Sequence, residues 1–296
     1  MMIHSTCKSA IQDCLSSRRF AIASLDQEDR TMGIHVHDCC EIYYSVSGGR
    51  QFLIDNRIYE FQPGDMFFIN PFESHYLAQV DPMTHSRVVL SVHPDFLREF
   101  STPDTDLYFC FSHRDAAFGH KISLAGEEKH RFQYYIHTLS EQHQFGQEIL
   151  DLAKFLELMT YLNQLFRSRC AQQSNAPQPS APQPRRKHCA QVSEILQYIN
   201  EHLADRLTLD HLAAQFYLSS TYLCKLFKEE TGTTINRYIT AKRISRAKIL
   251  LSEGRSAADA CRLCGFGDYN NFLRSFTKLV GVSPRKYAQY AHSDFS

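Results

Sequence analysis

TLDHLAAQFYLSSTYLCKLFKEETG (Thr208–Gly232) and SAADACRLCGFGDYNNFLRSFTKLVG (Ser256–Gly281) are one pattern written twice. Each copy begins with a short helix that ends in an apolar turn. Leu209, Leu212 and Ala213 precede Phe216-Tyr217-Leu218; Ala257, Ala260 and Cys261 precede Gly265-Phe266-Gly267. Ser219 and Asp268 then offer a side-chain oxygen to an orphan backbone N–H, which predicts the start of a second helix in each copy. Leu223, Leu226 and Phe227 in one, and Phe272 and Phe276 in the other, recur at helical spacing. Phe227 and Phe276 put the second helices 49 residues apart. Helix, tight turn and second helix is a shape whose second helix can lie in a major groove. A single copy would be weak evidence, because amphipathic helix pairs are common. Two in register, joined by another amphipathic helix, form a sharper signal.

With the phenylalanines inward, Thr221 and Lys225 fall one turn apart on the outer face of the first unit. Asn270 and Arg274 hold the same places in the second, flanked by Ser220, Cys224, Tyr269 and Leu273. Asn suits bidentate pairing with adenine and Arg with guanine. The plainer alternative is an ordinary solvated helix face. LSSTYLCKLFKEETGTTINRYI, KRISRAKILL and GFGDYNNFLRSFTKLVGVSPRKY, within residues 190 to 290, resemble the DNA-binding domain of the AraC/XylS family of bacterial transcription regulators. Departures from the family pattern are the small Ala257, Ala260 and Cys261, Thr277 in place of a lysine, and Ala288 in place of an arginine.

Charge divides the chain in the same way. The total is zero, yet residues from Arg185 onward carry +7 and the preceding residues −7. A basic C-terminal part suits phosphate binding, with an affinity that falls as salt rises. Neither a membrane-length apolar run nor an apolar signal core is present, which predicts a cytoplasmic protein. Ten cysteines without framework spacing are expected to be reduced there. Cys261 and Cys264 have the spacing of a zinc pair but no second pair beside them, so they read as small buried residues.

The N-terminal part reads as short strands. An entry strand near Phe20–Leu25 precedes EIYYSVSGG, RQFLI, RIYEF, DMFFIN and RVVLSVH, with turns at Gly48-Gly49, Asp55-Asn56 and Pro63-Gly64. This spacing predicts a β-sandwich or barrel of the jelly-roll type. His35, His37, Glu41 and Tyr43 share parity, which on a strand turns them to one side. Together with Gly48, Pro63-Gly64-Asp65 and His75 they resemble the paired motifs of the cupin fold, as found at the front of many AraC/XylS proteins. Phe72 stands where metal-binding cupins carry glycine and Gln79 where they carry asparagine.

Three readings of this cluster remain open. It could be an organic effector site using His35, His37, Glu41, Tyr43 and His75; a metal site of His35, His37, Glu41 and His75; or a set of satisfied core residues. The effector reading is favoured, with no resident metal or other cofactor. Arg50, Arg57 and Arg87 are candidates for added charge there.

Beyond Pro94, PDFLREF forms a short helix and the chain is irregular to about Gly126. Residues 127 to 144 and 147 to 167 then form two amphipathic helices. The family resemblance implies a homodimer through them. The layout is thus an α+β multidomain chain. A cupin-like sensing domain with two flanking helices spans 1–169, a Pro/Gln-rich linker 170–189, and an all-α double helix-turn-helix domain 190–296. A helix near 235–251 joins the two units; its Lys242, Arg243, Arg246 and Lys248 face either phosphate or solvent.

The expected function is a ligand-responsive, sequence-specific DNA-binding transcription regulator. Its expected partners are double-stranded DNA, a small-molecule effector (sugars being common among similar proteins), a second copy and RNA polymerase. The rival is a metal-dependent cupin enzyme tethered by its C-terminal domain.

Overall fold

The computed structural model describes residues 3–26, 33–49, 51–78, 85–113, 119–141, 145–175 and 187–293. Arg50, Gln79, Arg185 and Arg186 lie outside them. Among the described residues the N-terminal part runs β1 (Ile3–His4), α1 (Cys7–Ser17), β2 (Phe20–Asp26), β3 (Cys40–Ser47), β4 (Gln51–Ile54), β5 (Arg57–Glu60), β6 (Asp65–Ile69), β7 (His75–Ala78) and β8 (Ser86–Val92). It continues through α2 (Pro94–Glu99), α3 (Phe109–Ser112), β9 (Lys121–Ser123), α4 (Glu127–Ser140) and α5 (Gln147–Asn175).

Two sheets form, ordered β1-β2-β8-β3-β6-β9 and β5-β4-β7. All neighbours are antiparallel except β1 and β2. The sheets face one another as a sandwich and do not close into one barrel. The small sheet is the β4–β5 hairpin plus β7, while β1 and β9 end the larger one. The expected strands are present; β1, β7 and β9 are additions. β9 lies in the segment expected to be irregular, and it pairs with β6 from Asp65↔Ser123 to Phe67↔Lys121.

Burial follows strand parity, and it builds four layers. Ile42, Tyr44, Met66, Phe68, Leu90 and Val92 on one face of the large sheet pack against Phe132, Tyr135, Leu139, Phe155, Leu158, Leu162 and Phe166 of α4 and α5. Alternate residues on the other face, including Tyr43, Phe67, Ile69 and Val89, meet Phe52 and Ile54 of the small sheet. Leu53, on the outer face of that small sheet, joins the apolar core of the first helix-turn-helix unit, with Ile34 and Ile58 packed beside it. The long-sequence contact is legible afterwards: QFLI and RIYE place Leu53 and Ile58 where a solvated sheet face would carry polar residues.

α5 runs on to Asn175, and α6 (Lys187–Glu201) begins inside the stretch expected to be an extended tether. The prolines that would break a helix start only at Pro177. The C-terminal part then runs α7 (Leu209–Gln215), α8 (Ser220–Thr231), α9 (Ile235–Ser252), α10 (Ala257–Leu263), α11 (Tyr269–Val280) and α12 (Pro284–Ser293). Its first unit closes on Val192, Ile195, Leu196, Leu212, Leu223 and Phe227. The second closes on Ile244, Leu251, Ala260, Cys261, Cys264, Phe272 and Phe276.

Candidate nucleic-acid interface and sensor cluster

The two outward helices start where their caps dictate. The Ser219 hydroxyl accepts from the Tyr222 N–H at 3.2 Å, and the Asp268 carboxylate accepts from the Asn271 N–H at 2.6 Å. Gly232 and Gly281 end them in the left-handed conformation. Phe227 and Phe276 are fully buried, which turns Thr221, Lys225, Asn270 and Arg274 out to solvent. Tyr222 and Tyr269 flank them, also exposed. Ser220 is half-buried, and its hydroxyl donates to Asp210 at 2.9 Å.

The copies differ at the turn. Leu218 N–H donates to Ala213 O and Phe266 N–H to Cys261 O, a spacing of 48, whereas the caps are 49 apart. Gly267 is the extra residue. Tyr217 takes a left-handed turn (φ 55°) where the second copy has Gly265 (φ 80°). A Cβ on Gly265 would come within 2.6 Å of the Leu203 carbonyl oxygen, so the second unit needs glycine there for close approach as well as for φ. Cys261 and Cys264 are buried in this core, and burial pushes the Cys264 thiol up to about 12, leaving it protonated and inert at neutral pH.

On the sensor side the structure brings His35, His37, Glu41 and His75 together. His35 to Cys39 is not strand: β3 begins at Cys40, and His35 makes an isolated bridge to His75. Two backbone bonds, His35 N–H to His75 O at 3.2 Å and His75 N–H to His35 O at 3.0 Å, converge the rings where strand parity was expected to do so. His37 lies 3.0 Å from Glu41 Oε2 through Nε2, and His75 Nε2 lies 3.6 Å from the same oxygen. Burial alone would raise the Glu41 carboxyl, but His75 and His37 hold it well below the usual carboxylate range. Burial would lower His37, yet Cys39 and Glu41 raise it to about 9. Burial, with His75 and His37 nearby, lowers His35.

Tyr43 departs from this group. It points inward as expected, but its hydroxyl meets His85 Nε2 at 2.6 Å, among Phe52, Phe61 and Phe67. Depth along β3 separates it from the histidines, which parity cannot report. Arg87 is buried in its own right, and Arg57 is half-buried.

The sensor and the DNA-binding part meet along one face of α9. The Tyr238 hydroxyl donates to Asp55 O at 2.9 Å, Lys242 pairs with the Asp55 carboxylate, the Ser245 hydroxyl donates to Phe72 O, and Lys248 pairs with Asp38. Positions 238, 242, 245 and 248 recur at helical spacing. Lys242 and Lys248 are 7% and 2% exposed, so they face the sensor, neither phosphate nor solvent. Arg243 donates to the Leu203 and Asp205 carbonyls; Arg246 alone of the four is exposed.

Two contacts tie this seam to the histidines. Asp38 is the neighbour of His37, and the Phe72 N–H donates to His37 O at 2.9 Å. Phe72 is held at φ 68°, a left-handed conformation that is strained for a bulky side chain, with the Lys248 ammonium 5.3 Å from its ring centre. Sequence reasoning missed Asp38, Asp55 and Phe72 as contact residues. Asp55 was visible only as a turn residue.

Comparison with known proteins agrees with this geometry. A model of the AraC-like ligand binding domain matches residues 20–159, and a helix-turn-helix domain model matches residues 212–290. An HTH-type transcriptional regulator of Bacillus subtilis, YbfI, is 26% identical over 238 residues, covering 80% of each chain. The HTH-type transcriptional activator RhaR of Escherichia coli is 24% identical over 282 residues, 93% of this chain and 94% of that one. Among solved structures, the C-terminal domain of the response regulator yesN from Fusobacterium nucleatum is 32% identical, covering 32% of this chain and 94% of that chain, with a TM-score of 0.31. With a ligand-binding domain in front and a helix-turn-helix domain behind, the chain belongs to the AraC/XylS family of transcription regulators.

Proposed function

We propose that this protein is a dimeric regulator that reads a specific DNA site with α8 and α11 and senses its effector at the cluster of His35, His37, Glu41 and His75. The observation that carries the DNA half is the exposure of Thr221, Lys225, Asn270 and Arg274 on two capped helices joined by α9. α9 is 18 residues long, roughly 27 Å at about 1.5 Å per residue. That length suits two recognition helices in successive major grooves, about 34 Å apart. The functional division falls near 169 and 190, and the N-terminal sandwich is cupin-like. It acts on DNA in the cytoplasm and recruits RNA polymerase there.

The seam on α9 supports a mechanism. A ligand shifts a conformational equilibrium only if it binds the two arrangements unequally. Asp38 and Phe72 touch both the histidine cluster and α9, so a ligand that displaces His37 alters the seam. This use of the cluster favours a sensor and not a tethered enzyme. Tyr134, Phe145, Ile149 and Leu150, exposed at 55%, 96%, 63% and 42%, lie on α4, α5 and the turn between them, and support pairing of two copies through that face.

The test is titration of the full chain against a selected duplex and a scrambled one at several salt concentrations. Preference for the selected site, with affinity falling as salt rises, is expected. Equal affinity for both duplexes would remove the reading. His37→Ala and Glu41→Ala should alter the effector response and leave the preference for the selected duplex in place.

A further inference from the structure

We infer that a cleft in the second helix-turn-helix unit clamps one backbone phosphate of the bound DNA, and that the first unit has no counterpart. The inference rests on the DNA reading proposed above and adds a contact to that same interface.

The cleft holds about 630 Å³ between the end of α9, the start of α10, the first residue of α11 and the first turns of α12. Leu251 is buried and Ala257 and Ala288 are half-buried, so these three form an apolar floor. Arg255, Tyr269 and Arg285 stand around it, all exposed. Ala288 replaces the arginine of the family pattern, and its methyl group leaves open the space that a long side chain would fill.

The charge in the cleft is unmatched. Among the described residues neither the Arg255 nor the Arg285 guanidinium makes an ion pair or hydrogen bond. The buried lysines of α9 differ, since Lys242 and Lys248 meet Asp55 and Asp38. Asp259, the acidic residue of α10, is already engaged by the Ser256 hydroxyl at 2.8 Å and by Arg262 at 3.2 Å. Two free guanidiniums over an apolar floor suit a phosphodiester. The arginines donate to the phosphate oxygens, and the floor and the Tyr269 ring receive the deoxyribose.

Position favours a DNA strand over a free anion. In helix-turn-helix docking the N-terminal residues of the second helix meet base edges while the first helix crosses the backbone. The cleft lies where the starts of α10 and α11 come together, and Tyr269 directly precedes Asn270. It therefore faces the strand flanking the bases beneath Asn270 and Arg274. With the copies 48 residues apart before the turn and 49 after it, Arg255, Tyr269 and Arg285 correspond to Leu207, Ser220 and Asn236. Leu207 packs on the first core, and the Ser220 hydroxyl donates to the Asp210 carboxylate at 2.9 Å. The first unit thus sets a negative charge beside the start of α8, where the second has Ala258 and two positive charges nearby.

The experiment measures binding of the full chain to the selected and scrambled duplexes from about 50 to 200 mM salt. The double variant Arg255→Gln/Arg285→Gln should lower the slope of log affinity against log salt by about 1 and weaken both duplexes alike. Ala288→Leu keeps both arginines but closes the cleft, and should do the same while retaining the circular dichroism of the parent. Asn236→Ala, the matching change in the first unit, should leave the slope as it is. Neutral methylphosphonates placed singly along the flanking strand locate the contact. One position should weaken binding by the parent and add nothing to the loss in the double variant. An unchanged slope in the double variant, or methylphosphonate losses that add in full at every position, would overturn the clamp. So would inorganic phosphate that displaces the duplex from the parent alone, at matched ionic strength and with no methylphosphonate effect, because the cleft would then hold a free anion. Each of these results leaves the preference of the parent for the selected duplex intact; loss of that preference would instead remove the DNA reading itself.

Discussion

The two helix-turn-helix units repeat one sequence pattern but are closed in different ways. The first shares its core with the sensor: Leu53 of the small sheet is buried among Ile195, Leu223 and Phe227, with Ile34 and Ile58 alongside. The second closes on its own residues, several of them small (Ala260, Cys261, Cys264), and reaches the sensor mainly through Lys248 and Tyr287. Repetition in sequence therefore does not mean equivalence in the fold. One unit is cemented to the ligand-sensing part by apolar contact; the other is joined to it by charge and hydrogen bonds. On the mechanism proposed above, a signal from the N-terminal part would act between a unit held by apolar contact and a unit held by polar contact.

The comparison can be broken first at the buried phenylalanines. Phe227→Ala and Phe276→Ala should each cost about 3–5 kcal/mol. In thermal unfolding followed by tryptic cleavage, Phe227→Ala should expose sites in both the sensor and the first unit, whereas Phe276→Ala should expose only the second unit. Identical cleavage patterns would deny the difference between the units.

The polar seam is next. Lys248→Ala leaves Asp38 facing the protein without its ammonium. Breaking a fully buried pair costs several kcal/mol, but Asp38 is 29% exposed, which reduces the expected loss to about 1–3 kcal/mol. The sensor and the second unit should then melt in separate calorimetric transitions, and a single unchanged transition would count against the seam.

Base reading comes third. Arg274→Ala should cost about 1–3 kcal/mol at the preferred site and relax base choice at one position. If the loss is uniform across DNA sequences, Arg274 contacts phosphate instead. The caps should give the smallest effect: Ser219→Ala and Asp268→Ala should each lower stability by about 1 kcal/mol. A loss confined to one of them would sharpen the contrast between the units.

Much of this arrangement was legible in the chain itself. Both outward helices follow from caps and apolar spacing, and β2, β3, β4, β5, β6 and β8 follow from aromatic and β-branched runs between turns. β1, β7 and β9 lack such a run and gain their identity from the partner strand that the fold brings beside them. The convergence of His35, His37, Glu41 and His75 was anticipated for an incomplete reason, since a bridge to β7 replaces strand parity. The lysines of α9 show the limit most clearly. A charged helix face looks the same whether it meets water, phosphate or a carboxylate, and only the fold brings Asp38 and Asp55 to Lys248 and Lys242.

The central claim is that α8 and α11 read bases in successive major grooves. Methylation interference on a site selected by the full chain tests it most directly. Two blocks of interfering purines, about 10–10.5 base pairs apart on one face of the duplex, are predicted for each chain bound. Selection that yields no preferred site, or interference confined to a single block that Asn270→Ala and Arg274→Ala leave unchanged, would contradict it.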